Sequence, residues 1–335
     1  MRFAWLCSTS MALLSALLCA APIVARVPAP APPVKVAIVR NRSEGPAVME
    51  RGGLKQRLAD LGCDVAPVLT VQLTPDEDRQ YGAWNKTALE SRSLGRLVAQ
   101  STGSDVTIGL LTNCSDLLGM LAGLQHPAAV KSGGPSLPAS GLAGVKPRRV
   151  GLVYVDAHAD FNTPETTLSG MLGGMPVAIA SGMCLSRHRL LTGLDPALPT
   201  KYIVMAGIRD VDPLEQDLLD RSDCETLGVE DIRRLSTKVR DEVDRLGRLT
   251  DVIYVHIDMD VLDPAEVAGH PLTAPEGPTS RELAAALEVM FQHPKVQALG
   301  IASLPYGAND KNLISLNAAY RLIEGAVAGV KKRAQ

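Results

Sequence analysis

Val150-Gly-Leu-Val-Tyr-Val-Asp-Ala-His-Ala-Asp160 decides the reading of this chain. The apolar run Val150–Val155 is short, and its near-continuous apolar character fits a strand buried on both faces, as in a parallel sheet. It ends in Asp156, His158 and Asp160. Along an extended segment the side chains at i and i+2 point the same way, so these three converge. A second stretch repeats the design: Val252–Ile257 runs into Asp258-Met-Asp260 and then Val-Leu-Asp263-Pro264. Taken alone, either cluster also reads as a turn or helix cap. Two such clusters at two strand ends read as a metal site, because packed carboxylates repel unless something positive sits between them. One carboxylate from each cluster can bridge two divalent ions, about 3.5–4 Å apart in such sites. Oxygen-rich ligation with one imidazole suits Mn²⁺, with Mg²⁺, Fe²⁺ or Zn²⁺ as alternatives.

Working outward, further strands are expected at Val34–Val39, Cys63–Leu69, Asp105–Leu111, Tyr202–Ala206 and Val296–Ala302, with a weaker one near Asp223–Leu227. Helical patterns lie between them, at Ala88–Gln100, Cys114–Leu124, Asp231–Leu246, Leu283–Phe291 and Leu313–Lys331. Thr279 and Glu282 supply a capping box ahead of the fourth. This alternation predicts an α/β fold of three αβα layers around a mostly parallel sheet. Ligands of such sheets sit beyond the C-terminal strand ends, where both acidic clusters lie. Pro127–Pro147, rich in Gly, Pro and Ser, reads as a surface loop.

The chain has 335 residues, 46% of them hydrophobic but only 3% aromatic, so its core must be aliphatic. A net charge of −2 gives no basic footprint for nucleic acid and no polybasic patch for a membrane surface. Residues 1–26 look like a signal peptide, and 27–33 like a Pro-rich linker, leaving one domain over 34–335. The apolar run of the leader is short for a stable membrane span. Export to the periplasm or medium is therefore expected, or a cytoplasmic protein if the leader is a misassigned start. Of the six cysteines, Cys63, Cys114, Cys184 and Cys224 lie past the leader, without a disulfide framework.

On its motifs the sequence resembles the ureohydrolase family of arginases and agmatinases. The matching segments are Asp156-Ala-His-Ala-Asp-Phe-Asn-Thr-Pro-Glu-Thr-Thr-Leu-Ser-Gly170, Gly207-Ile-Arg-Asp-Val-Asp-Pro213 and Asp258-Met-Asp-Val-Leu-Asp-Pro264. The resemblance implies an eight-stranded, mostly parallel sheet in an arginase-like fold, two Mn²⁺ ions and assembly as a homo-oligomer. It also implies a metal-bridging hydroxide that attacks the C–N centre of a small guanidino or amidino substrate. Asp156 and Asp258 then resemble the bridging carboxylates. His158 and Asp260 complete one ion site, and Asp160 belongs to the other and orients the nucleophile. Asn162, Ser169 and Asp212 match positions that hold the amino-acid end of an arginase substrate.

The departures bear equally on function. The family's first metal ligand, a His after a strand, is replaced within Leu111-Thr112-Asn113-Cys114. Cys114 is read either as a sixth, softer ligand or as a small buried residue at a helix start, and Asp116 is a further candidate for the site. Gly173 stands where the family carries a catalytic His, Ser303 where it carries a guanidinium-binding Glu, and Met171 where arginases carry a polar Asn. His270 follows the second cluster and is read as a proton donor or substrate contact, or as an ordinary loop His. His256, inside a strand, is open to a structural role or one behind the site. His126, His188 and His293 are expected to face solvent. The reading is thus an arginase-like hydrolase in which arginine itself is a doubtful substrate, or else a catalytically degenerate binder of the same fold.

Overall fold

The computed structural model describes residues 32–127 and 146–333. The proposed leader and most of both the linker and the Gly/Pro/Ser-rich loop lie outside the described residues. Among the described residues, nine strands form one sheet: β1 Lys35–Arg40, β2 Asp64–Val65, β3 Leu69–Thr70, β4 Val106–Leu110, β5 Val150–Val155, β6 Ile203–Ala206, β7 Glu225–Leu227, β8 Val252–Asp258 and β9 Val296–Ala302. Eight of them follow the order β2-β1-β4-β9-β8-β5-β6-β7, and the two-residue β3 also pairs with β1. Every pairing is parallel. The expected eight-stranded path is therefore present, with one short addition.

That addition has a local cause. The stretch expected as a single strand over Cys63–Leu69 is split into β2 and β3, with Pro67 between them. Proline has no N–H to give to the ladder, so pairing lapses there on the edge of the sheet. A second departure lies at Asp231–Leu246, which is two helices, Val229–Arg233 and Thr237–Leu249. Leu235 between them adopts a left-handed φ of 48°, and Ser236 Oγ returns to Asp231 Oδ1 at 2.7 Å. Helices not expected from the sequence also form at Glu44–Asp60, interrupted by Gly53 at φ 101°, and at Pro75–Asp78, Pro176–Ala180, Ser186–Thr192 and Pro213–Asp220.

The sheet is buried on both faces, and strand alternation divides its side chains between two cores. Ile108, Val153, Val155, Val255, Ile257 and Ile301 belong to one, under helices Ser280–Met290 and Ile314–Lys332. Leu152, Tyr154, Ile203, Tyr254 and Ala298 belong to the other, under helices Ala83–Gln100 and Leu117–Gln125. The latter two helices approach closely because a Cβ at Gly119 would lie 2.3 Å from the Ser91 carbonyl, and one at Gly123 would lie 2.4 Å from that of Gly95.

The strand order positions the site. The chain leaves β4 and re-enters the sheet at β5, three places away, and β8 and β9 later fill the gap. Such a reversal opens a crevice at the C-terminal ends of the strands around it. Those ends lead into Cys114, Asp156, Asp258 and Ser303.

Candidate metal centre

Short segments after four strands carry the site. β5 runs into Asp156, where Oδ1 accepts from the His158 amide at 2.7 Å. β8 ends at Asp258, where Oδ1 accepts from the Asp260 amide at 3.0 Å. Each leading aspartate thus does cap its own turn, and this capping aims the following side chain inward. Asp160 reaches the same spot by a left-handed backbone, φ 48°. The loop after β4 supplies Cys114, and β9 supplies Ser303 through the Ser303 amide bonded to the Thr112 carbonyl at 3.3 Å.

The side chains converge. Cys114 Sγ lies 2.8 Å from Asp258 Oδ2 and 3.7 Å from Asp156 Oδ2. His158 Nδ1 lies 3.5 Å from Asp156 Oδ1 and 3.2 Å from Asp260 Oδ2. His270 Nε2 is 3.8 Å from Asp258 Oδ1, and its Nδ1 is 3.7 Å from Asp260 Oδ2. Three overlapping sets of donor atoms result: Cys114, Asp156 and Asp160; Asp156, His158 and Asp260; and Asp258, Asp260 and His270, each set within 4.8 Å. All six residues expected as ligands are brought together, and His270 joins them with its side chain 7% exposed.

Burial makes this charge costly. Burial first, and then repulsion by Asp156, holds the Asp160 carboxyl well above its usual range and pushes Asp258 up to about 7. Burial, Asp258 and Asp156 push Asp260 up to about 10. Burial opposes ionisation of Asp156 too, but the His158 hydrogen bond keeps it low, while the Asp156 and Asp260 hydrogen bonds raise His158 to about 11. Burial and Asp258 also raise the Cys114 thiol. Four buried carboxylates with this mutual repulsion need protons or a cation to balance them, and carboxylate, imidazole and thiolate donors together fit a divalent ion.

Asp116 does not join the cluster. It accepts from Asn41 Nδ2 at 2.9 and 3.0 Å and from the Thr112 amide at 2.7 Å, so it fixes the loop that carries Cys114. His126 is buried rather than solvent-facing, with Nε2 2.8 Å from the Asp195 carbonyl.

A cavity of about 720 Å³ opens over the cluster. Asn162, Ser169 and Asp212 line it, with Asn162 Nδ2 donating to Asp212 Oδ2 at 3.1 Å. Asp212 and Glu215 form a capping box for helix Pro213–Asp220. Glu215 also accepts from the Phe161 amide at 2.6 Å, which ties the Asn162 segment to Asp212. Leu168, Met171, Leu272 and Tyr306 form an exposed apolar rim. Gly173 lines the cavity with open space at its Cβ position.

Several contributors had no distinct signal in the sequence. Asp210, 3.7 Å from His158 Nε2, was visible only as part of a motif. Tyr154 donates to Asp160, and Tyr254 reaches His256 Nδ1 at 2.7 Å, yet both read as core residues of buried strands. Their shared parity with Asp156 and Asp258 was the available clue.

A family model described as the Arginase family matches residues 132–326. The chain is 33% identical over 247 residues to the Bos taurus protein named "Arginase-2, mitochondrial", covering 71% of this chain and 65% of that protein. It is 31% identical over 228 residues to Homo sapiens "Arginase-1", covering 66% of each. These matches therefore span just under two thirds of the relatives' own length. Among solved structures, an arginase from Bacillus cereus superposes with a TM-score of 0.72 at 21% identity, covering 88% of this chain and 98% of that one. A formimidoylglutamase from Bacillus subtilis gives a TM-score of 0.65 at 17% identity, covering 89% and 87%. At these identities the superpositions speak for the fold alone.

Proposed function

The chain belongs to the arginase family, and from that premise we propose that it is a metal-dependent hydrolase acting on a C–N bond of a small guanidino or amidino compound. The observation that carries this reading is the convergence of Cys114, Asp156, His158, Asp160, Asp258 and Asp260 beneath one cavity. In this reading they hold two divalent ions, with Mn²⁺ suited to the oxygen-rich donors. When bound, such a pair supplies Lewis acidity and brings water toward ionisation near neutral pH.

The chain's own residues do the rest. Asp160, steadied by the Tyr154 hydroxyl, orients the attacking water. Asn162, Ser169 and Asp212 bind the polar end of the substrate across the cavity. His270, against Asp258 and Asp260, handles a proton or a substrate nitrogen. The cavity gives a guanidinium no carboxylate at position 303, because Ser303 is there and its hydroxyl is spent on Asp258. A basic guanidinium is best held by a bidentate carboxylate. A less basic amidine, or a neutral amide-like group, therefore fits better than arginine.

Metal analysis of the purified protein and a screen for urea, ammonia and formamide release test this reading. The screen covers arginine, agmatine, guanidinobutyrate, formiminoglutamate and guanidine. Two ions per chain and release from one of these compounds is the expected result. Fewer than one ion after growth with Mn²⁺ sinks it. Two ions without turnover favours the second reading, a binder that keeps the metal fold, to which the open space at Gly173 lends support. Export through residues 1–26 is part of the same proposal, and N-terminal sequencing of protein recovered outside the cytoplasm checks it.

A further inference from the structure

Cys114 is gripped from behind by a buried chain of side chains. His256 Nε2 lies 3.4 Å from Cys114 Sγ, and Tyr254 OH lies 2.7 Å from His256 Nδ1. The imidazole is fully buried and stacks on Tyr154, with ring centroids 5.3 Å apart and planes 8° off parallel. Tyr154 in turn donates to Asp160.

Counting hydrogens fixes the direction of this chain. A thiol has one hydrogen, and at 2.8 Å the Cys114 sulfur gives it to Asp258 Oδ2. Toward His256 the sulfur is then an acceptor, so Nε2 carries the imidazole hydrogen. Nδ1 is left as an acceptor, and Tyr254 is its donor. The N–H thus points at the sulfur whether or not the thiol hydrogen is present. A hydrogen bond from behind a ligand atom orients it and tunes the ion it binds.

We propose that His256 and Tyr254 are positioning residues for Cys114, and that the Cys114 half of the site takes a thiophilic divalent ion of the Zn²⁺, Fe²⁺ or Co²⁺ class in preference to Mn²⁺. Thiolate selects softer ions, whereas the half built on His158, Asp156 and Asp260 offers only nitrogen and oxygen. The two halves therefore differ in preference. This inference rests on the two-ion reading above and deepens it.

Titration of the metal-free full-length protein with Co²⁺, followed by sulfur-to-cobalt charge-transfer absorption and by competition with Mn²⁺, tests it. The wild type should take two ions, one of them with the charge-transfer band and resistant to excess Mn²⁺. Cys114→Ser should lose the band and keep the other ion. His256→Phe keeps the stacking ring but no N–H, and should keep the band with about 10- to 100-fold weaker Co²⁺ binding at that half. His256→Gln, which restores an N–H, should recover part of the loss. Where His256→Phe fails to fold, Tyr254→Phe carries the test, with a smaller loss in the same direction. Two bound Co²⁺ ions without a charge-transfer band overturn the inference and leave the two-ion reading intact. Unchanged affinity in the folded His256→Phe or Tyr254→Phe protein overturns the positioning roles. A single bound ion without the band likewise overturns the inference, and fewer than one ion in the wild type overturns both readings.

Discussion

Ser303 Oγ donates a 2.5 Å hydrogen bond to Oδ2 of Asp258, from a backbone held at a left-handed φ of 60°. The hydroxyl is therefore engaged with the acidic cluster and is not free for substrate. A carboxylate at this position would face the cavity and offer a basic guanidinium a charged partner, worth about 1.5–3 kcal/mol as a charge-assisted hydrogen bond. Ser303→Glu is expected to lower KM for arginine or agmatine about tenfold or more in the metal-loaded protein. Steady-state kinetics on both compounds checks this. An unchanged KM in a folded, metal-replete variant would remove Ser303 from the account of specificity.

Gly173 borders the same cavity, and a Cβ built there meets nothing within 4 Å. Its φ is not in the left-handed region, so a larger residue fits without backbone strain. General acid–base groups contribute roughly 10²–10⁴-fold to such reactions. Gly173→His is expected to raise kcat about tenfold or more on the best substrate of the screen, and to add a limb to the pH–rate profile near an imidazole pKa of about 6.5. A variant with the same kcat and the same profile would show that proton transfer at this position does not limit the reaction.

The legible part of this chain was the part whose chemistry is local. The two acidic clusters follow directly from strands whose parity sets their direction, so the sequence places Asp156, His158, Asp160, Asp258 and Asp260 at one end of the sheet. Val150–Val155 and Val296–Ala302 have the bounds expected of them. What escaped depends on partners distant in sequence. Asp116 looked like a ligand by proximity to Cys114, and only Asn41, 75 residues away, shows why it turns aside. Tyr254 reads as core, and His256 stays open between a structural role and one behind the site, because a buried polar chain is defined by its acceptor, and Cys114 lies 142 residues from His256. The break at Leu235 comes from one left-handed residue, which hydrophobic periodicity does not register.

His270 was open between a working and an ordinary loop residue, and it lies within 4 Å of both Asp258 and Asp260. Burial holds its pKa down at about 4, with Asp156 opposing that shift. It is therefore neutral at pH 7 and able to accept a proton. His270→Ala is expected to reduce kcat/KM by about 10²-fold or more on a turned-over substrate, with ion stoichiometry unchanged. Loss of an ion together with activity would instead mark His270 as a ligand. Unchanged activity and stoichiometry would return it to the loop.

Cation binding at this cluster must displace protons, and the sign of the pH dependence follows. Asp258, held up at about 7 by burial and by Asp156, binds a proton in the ion-free folded protein that the unfolded chain has lost above about 3.9. Its contribution to ion-free stability therefore falls as pH rises from about 4 through 7. His158, raised to about 11 by Asp156 and Asp260, acts in the same direction above about 6.5, where the unfolded imidazole deprotonates. The cluster titrates as a unit, so the window is shared rather than assigned to one residue. A bound cation replaces those protons, and its stabilisation grows as they become easier to remove. The Tm difference between metal-loaded and chelator-stripped protein is thus expected to widen from pH 5 to pH 8. Calorimetry in buffers of different ionisation enthalpy should also show protons released on metal binding, fewer at pH 8 than at pH 6. A Tm difference that stays flat or shrinks with rising pH would mean that the ions bind elsewhere than among these carboxylates.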